Sequence, residues 1–159
     1  MISTPDLYDE YGETLRIAEP GWQHYGGAKA FGGKVVTVKA DDDNTKVGEL
    51  LKSNGEGCVL VVDAGASTRH AFLGDNLAQA GIDNGWQGVI VNGCVRDVDL
   101  LLEMPIGVMA LGCIPRKTEK RGLGEVNVSL NFSGIDVEPG DYIYGDLSGI
   151  VVADRSLVG

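Results

Sequence analysis

Apolar residues along this chain come in short runs separated by glycines and acidic turns, and the spacing within each run predicts an alternation of strands and helices. Pro5 to Tyr11 reads as an N-terminal helix. Gly32 to Lys39 opens on two glycines and continues into β-branched residues, as a strand does, and stops at Asp41-Asp42-Asp43-Asn44. Thr45 to Lys52 carries Val47, Leu50 and Leu51 at helical spacing, with Asn54-Gly55 as its stop. A strand over Cys58 to Val62 follows. Gly74-Asp75 then offers an N-cap before Leu77, Ala78 and Ile82, and Asn84-Gly85 closes that helix. Its partner strand, Gly88 to Val91, runs into Gly93-Cys94-Val95-Arg96-Asp97, after which Val98, Leu101 and Leu102 begin a short helix. Arg96 and Asp97 therefore fall at a strand-to-helix junction, where α/β sheets gather their ligands. Ile106 to Leu111 is one more buried strand, and Pro115 to Arg121 is a charged loop. Beyond it the pattern turns to short strands at Val126 to Leu130, Ile135 to Val137, Asp141 to Tyr144 and Ile150 to Ala153. The expected architecture is α/β, with a central α/β portion, β-rich terminal segments and stacked β, β and α layers.

A chain of 159 residues with 43% hydrophobic content can bury one sizeable core, so residues 1–159 are expected to form a single domain. The net charge of −10 argues against nucleic acid, whose binding needs a basic face that releases counterions. It leaves a basic protein partner open. Cys58, Cys94 and Cys113 are odd in number and lack a CxxC spacing, which suits reduced thiols that pack as small hydrophobes. No basic-then-apolar leader opens the chain and no apolar run reaches the length of a membrane span. The expected location is the cytoplasm, with no membrane partner.

The constellation that carries most chemistry is Asp75, twenty residues, then Arg96-Asp97. The intervening helix and strand form a return path that can bring both ends to one sheet edge. Together they can supply helix N-termini, a fixed cation and a hard oxygen ligand for Mg²⁺ or Mn²⁺, a combination suited to an anionic oxo acid. The plainer readings are a helix N-cap for Asp75, and a surface ion pair with a second cap for Arg96-Asp97. His24 and His70 lack ligand-spaced partners, so a zinc site or a Ser-His-Asp triad has little support and both read as packing or solvent residues. Gly26-Gly27 and Gly32-Gly33 match no phosphate-binding glycine pattern. Asp63-Ala64-Gly65-Ala66-Ser67 is a turn that can present backbone N–H groups to a carboxylate, a secondary pocket wall.

Gly74-Asp75-Asn76-Leu77-Ala78, Asn84-Gly85-Trp86-Gln87-Gly88, Gly93 to Asp97 and Arg121-Gly122-Leu123-Gly124-Glu125, in this order, resemble a family with two kinds of member. These are the 4-hydroxy-4-methyl-2-oxoglutarate aldolases and the proteins called regulator of ribonuclease E activity A. The similarity extends from Glu19-Pro20 and Phe31-Gly32-Gly33 to Tyr144-Gly145-Asp146 and Gly149-Ile150-Val151.

The resemblance implies a swivelling β/β/α fold of the phosphohistidine-domain type, assembled as a homotrimer with sites at subunit interfaces. For the catalytic branch it implies a class II, metal-dependent pyruvate aldolase with oxaloacetate decarboxylase activity. Its catalytic residues would be Asp75, Arg96 and Asp97. Gly74, Asp75, Asn76, Leu77 and Arg96 would bind the 2-oxo acid, Asp97 would hold Mg²⁺ or Mn²⁺, and Asp75 would act through water on the 4-hydroxyl proton. The alternative is a non-catalytic regulator that binds and inhibits ribonuclease E, with an associated helicase as a further partner. Members acting only as regulators tend to lack the two carboxylates that this sequence keeps. A methyltransferase reading, attached to some relatives, finds no glycine-rich loop after the first long strand.

Overall fold

The computed structural model describes residues 2–158. Ser3 accepts a hydrogen bond from the Asp6 N–H and Pro5 stands in the first turn, so a helix starts there, α1 (Thr4–Tyr11). Two strands of two residues each follow, β1 (Arg16–Ile17) and β2 (Gln23–His24). The central elements are β3 (Phe31–Lys39), α2 (Thr45–Leu51), β4 (Val59–Asp63), α3 (Asp75–Asp83), β5 (Gly88–Val95), α4 (Val98–Leu101) and β6 (Gly107–Cys113). The remainder is β: β7 (Glu125–Val126), β8 (Leu130–Phe132), β9 (Ile135–Val137), β10 (Tyr142–Asp146) and β11 (Gly149–Ala153).

One large mixed sheet runs in the order β1-β11-β10-β3-β4-β5-β6-β2, with β7 added beside β3. Nine-residue β3 makes this possible by serving two sets of partners. Its first half, Phe31 to Lys34, pairs antiparallel with β10, and its second half, Val35 to Lys39, pairs parallel with β4. The sheet folds over along β3 and so faces itself. Side-chain alternation follows. Val35, Val59, Val61, Ile90 and Met109 point between the two halves and meet Ile143, Ile150, Val152 and the β8-β9 hairpin. Val38, Leu60, Val62, Val89, Val91, Val108 and Ala110 point the other way, onto α2, α3 and α4. This is the β, β, α layering expected, with one addition: α1 covers the outer face of β10 and β11 through Leu7, Tyr144 and Val151.

Most expected elements occur within two residues of their expected ends. The expected strand Val126 to Leu130 does not occur as one piece. Asn127 has a φ of +61°, and although its N–H still donates to Thr37 O, the regular ladder of β7 with β3 stops at Val126 and the chain turns toward the β8-β9 hairpin. Strands β1 and β2 were not expected; two residues are too short to carry a period. The Gly74-Asp75 cap is also refined: Gly74 is the N-cap, Asp75 is the first helical residue, and no side chain caps α3.

Phe31 sits where the sheet folds over, and its ring lies against Gly88, Gly107 and Gly145 of β5, β6 and β10. A Cβ on Gly88 would lie 2.5 Å from Phe31 Cδ2. Gly88→Ala is therefore expected to lower unfolding free energy by about 1–3 kcal/mol through overpacking, measured by urea denaturation. A change of a few tenths would contradict this role for the glycines.

Candidate active site

β3 to β6 run parallel, so their carboxyl ends share one edge, and the loops leaving β4 and β5 there carry the residues singled out by spacing. Ala71 bridges Cys94 on one side and Lys117 on the other. The Arg96 N–H donates to Leu73 O at 2.9 Å, which holds the approach to α3 beside the end of β5. Gly74, Asp75, Asn76, Leu77, Arg96 and Asp97 thus line one cavity of about 260 Å³. Every residue named for substrate, metal or catalysis is in it.

Asp97 adopts a left-handed conformation, φ 58° and ψ 39°, immediately before α4. That turn aims its carboxylate back across the cavity mouth, where Oδ2 accepts a hydrogen bond from the Asp75 N–H at 3.2 Å and lies 3.8 Å from Arg96 Nε. The Arg96 Nη1 donates to Pro115 O at 3.3 Å, leaving most of its five N–H donors for a ligand. With Asp75 N–H occupied by Asp97 and no side-chain cap, the N–H groups of Asn76 and Leu77 in the first turn of α3 face water or an anion. Gly74 permits this arrangement. A Cβ there would stand 2.5 Å from Asp97 Oδ2 and 3.4 Å from Arg96 Cγ.

Lys52, Lys117 and Lys120 also line the cavity and make its rim cationic in a protein of net charge −10. Lys117 and Lys120 belong to the charged loop, and sequence reading had given that loop no site role. What holds it lies about 75 residues upstream. Asp43, 1% exposed, accepts from Thr45 N (2.8 Å) and Thr45 Oγ1 (2.6 Å) through one oxygen, and from Arg121 N (2.6 Å) and Leu123 N (3.0 Å) through the other. Burial pushes the Asp43 carboxyl up, but the Thr45 hydroxyl and the N–H groups of Leu123, Thr45 and Arg121 outweigh it and hold it well below the usual carboxylate range. Asn44 donates to Phe72 O and accepts from Thr118 Oγ1 at 2.8 Å.

The Asp63 to Ser67 loop does not serve as a second wall. Its N–H groups are already bonded, Ala64 and Ala66 to Asn92 O of β5, Gly65 to Asp63 Oδ1, Ser67 to Ala64 O. His70 Nδ1 lies 3.1 Å from Asp42 Oδ1, and His24 packs edge-on to Phe31 at 5.8 Å, so both histidines have partners outside the cavity. A larger groove of about 630 Å³ lies between α1, the β1-β2 loop and the β10-β11 turn. No Lys or Arg lines it, and Asp146 there is engaged by Thr4 and by Ser148 N.

Among the described residues no group of three His, Cys, Asp or Glu side chains is arranged to hold a metal. A single carboxylate, 33% exposed at Asp97, fits a Mg²⁺ or Mn²⁺ ion that keeps several waters and shares its remaining ligands with a bound acid. It does not fit a tightly caged ion.

The geometry is that of a small, lysine-rimmed cavity at the strand ends of a mixed α/β fold. The chain belongs to the RraA-like family, described as Aldolase/RraA, whose model matches residues 4–152. It is 48% identical over 154 residues, 97% of this chain and 95% of its relative, to an Ectopseudomonas mendocina protein provisionally named 4-hydroxy-4-methyl-2-oxoglutarate aldolase. Among solved structures, it matches one from Geobacillus kaustophilus described as an S-adenosylmethionine:2-dimethylmenaquinone methyltransferase, with a TM-score of 0.95, 45% identity and coverage of 98% and 97% of the two chains. The RNA-processing inhibitor RraA from Thermus thermophilis matches with a TM-score of 0.94, 40% identity and coverage of 100% and 96%.

Two outcomes follow from this geometry. The Gly74 φ of −136° is open to any residue, so Gly74→Ala is expected to cost only about 1 kcal/mol of stability while displacing Asp97 and weakening anion binding by roughly tenfold or more, read by titration calorimetry. Unchanged binding would contradict the assignment. Because the Asp43 carboxyl titrates lower folded than unfolded, its contribution is fully present above the unfolded value, about 3.9, and is lost as pH falls toward the folded value. The stability gap between wild type and Asp43→Asn should therefore narrow below about pH 4 in urea melts; a gap independent of pH would contradict it.

Proposed function

We propose that this protein is a divalent-metal-dependent lyase that cleaves 4-hydroxy-4-methyl-2-oxoglutarate and related 4-hydroxy-2-oxo acids to pyruvate by retro-aldol chemistry, with oxaloacetate decarboxylation as a companion activity. The observation that carries the reading is the meeting of Asp75, Arg96, Asp97 and the uncapped start of α3 in one cation-rimmed cavity. The names of the aldolase relatives support it. So does size: about 260 Å³ suits a small acid and is tight for a nucleoside cofactor, which weighs against methyl transfer.

Arg96 and the Asn76 and Leu77 N–H groups bind the acid and sit where negative charge develops on its oxygen, the place where fixed donors lower a barrier most. Asp75, through a water, takes the proton of the 4-hydroxyl as the C3–C4 bond breaks. The bonding pair stays on the pyruvate fragment, which regains a proton, and the hydroxyl carbon leaves as a second carbonyl. Asp97 is the residue that would hold Mg²⁺ or Mn²⁺, which when bound supplies Lewis-acid polarisation of the 2-oxo group. We also assign the fold to the swivelling β/β/α type and the working form to a homotrimer, for which exposed Ile17, Leu100, Leu102 and Leu147 offer apolar surface.

A second reading rests on the likeness to the RNA-processing inhibitor: a regulator that binds ribonuclease E or its helicase partner without chemistry of its own, using an acidic surface. One experiment separates the two. Pyruvate release from 4-hydroxy-4-methyl-2-oxoglutarate and from oxaloacetate, coupled to lactate dehydrogenase, is expected only with Mg²⁺ or Mn²⁺, and Arg96→Ala and Asp97→Ala are each expected to lose on the order of 100-fold in kcat/KM while remaining folded. No turnover above the metal-catalysed background would overturn the lyase reading and make the regulator the leading one.

A further inference from the structure

The segment from Pro115 to Leu123 forms one rim of the cavity, and Thr118, 4% exposed, is its only buried residue. It contains no helix and pairs with the sheet at a single bridge, Lys117 to Ala71. A stretch with so little buried apolar surface opens easily unless polar contacts hold it. At its near end these are Arg96 on Pro115 O, the Ala71 N–H on Arg116 O and Arg116 on Arg69 O; from Thr118 onward, apart from the Gly122 N–H on Thr45 Oγ1, they converge on two consecutive residues. Asp43 takes the N–H groups of Arg121 and Leu123, while Asn44 exchanges hydrogen bonds with Thr118, its N–H donating to Thr118 Oγ1 and that hydroxyl donating to its Oδ1. Asp43 itself does not line the cavity.

We propose that Asp43 is a positioning residue for substrate: by fixing Arg121 and Leu123 it sets the height of Lys117 and Lys120 over the cavity, and so governs the affinity for a dianionic oxo acid without touching it. This rests on the lyase reading for its kinetic consequence and on the loop geometry alone for its structural one. The carboxylate is needed because both oxygens accept; an amide offers one acceptor and turns N–H groups toward donors on the other side. Arg96 and Asp97 are tied to Leu73 O and the Asp75 N–H, and the Pro115 carbonyl that Arg96 also reaches lies beside Arg116, whose carbonyl takes the Ala71 N–H at 2.7 Å without help from Asp43, so the chemical step is expected to be spared.

The test uses the full chain as Asp43→Asn, with Thr118→Val as a second variant that cuts the same loop from Asn44 while leaving Asp43 in place. Trypsin cleavage at Lys117, Lys120 and Arg121 under native conditions is expected to speed up by roughly tenfold or more in both variants, with the rest of the chain intact by mass spectrometry. With Mg²⁺ and 4-hydroxy-4-methyl-2-oxoglutarate, KM is expected to rise by roughly tenfold in Asp43→Asn with kcat within about threefold. Cleavage at the wild-type rate in Thr118→Val and in folded Asp43→Asn would overturn the proposal, as would a fall in kcat at unchanged KM. If wild type itself shows no turnover, the lyase reading fails and the cleavage rates still decide whether these residues hold the loop.

Discussion

The hydrogen bond from the Asp75 N–H to Asp97 Oδ2 joins the starts of two helices that leave different strands, and the rest of the site depends on it. It requires a left-handed residue at Asp97 and no Cβ at Gly74. Both requirements cost conformational freedom, and a non-glycine residue at positive φ is uncommon without a reason. The compensation is a carboxylate held beside a guanidinium and the open end of α3, all in one small cavity. Electrostatics adds to this: the protein carries ten net negative charges, yet the rim of this cavity is built from lysines.

The scaffold beneath is rigid because β3 belongs to both halves of the sheet. Its parallel neighbours, β4, buried from Val59 to Val62, and β5, buried throughout, fix where the two loops leave, so loop differences can change the chemistry without changing the fold. That economy is consistent with solved relatives that carry the names of a methyltransferase and an RNA-processing inhibitor on nearly the same backbone, and with a sequence relative named as an aldolase.

The strands β3 to β6 were legible in sequence because runs such as Val59 to Val62 are buried on both faces and bounded by glycine or acidic turns. That Asp75, Arg96 and Asp97 share one cavity was legible because a helix and a strand of ordinary length span the gap between them. The edges β1 and β2 were not, since their pairing is decided by distant partners, Val152 and Met109 among them, and two residues show no period. The roles of Asp43 and Asn44 were hidden for a related reason. Their partners lie 74 to 80 residues away, and Asp41-Asp42-Asp43-Asn44 reads locally as a solvated turn. Gly74 was read as part of a helix start; its actual reason, the approach of Asp97, exists only in three dimensions.

The proposed lyase chemistry requires this cavity to bind the pyruvate portion of an anionic oxo acid through Arg96 and a cation held at Asp97. Oxalate, a planar dianion shaped like the enolate of pyruvate, tests it without turnover. Titration calorimetry should show oxalate binding to wild type with Mg²⁺ present, and binding abolished by chelator, by Asp97→Ala and by Arg96→Ala. Equal affinity in chelator, or in either variant, would contradict the account.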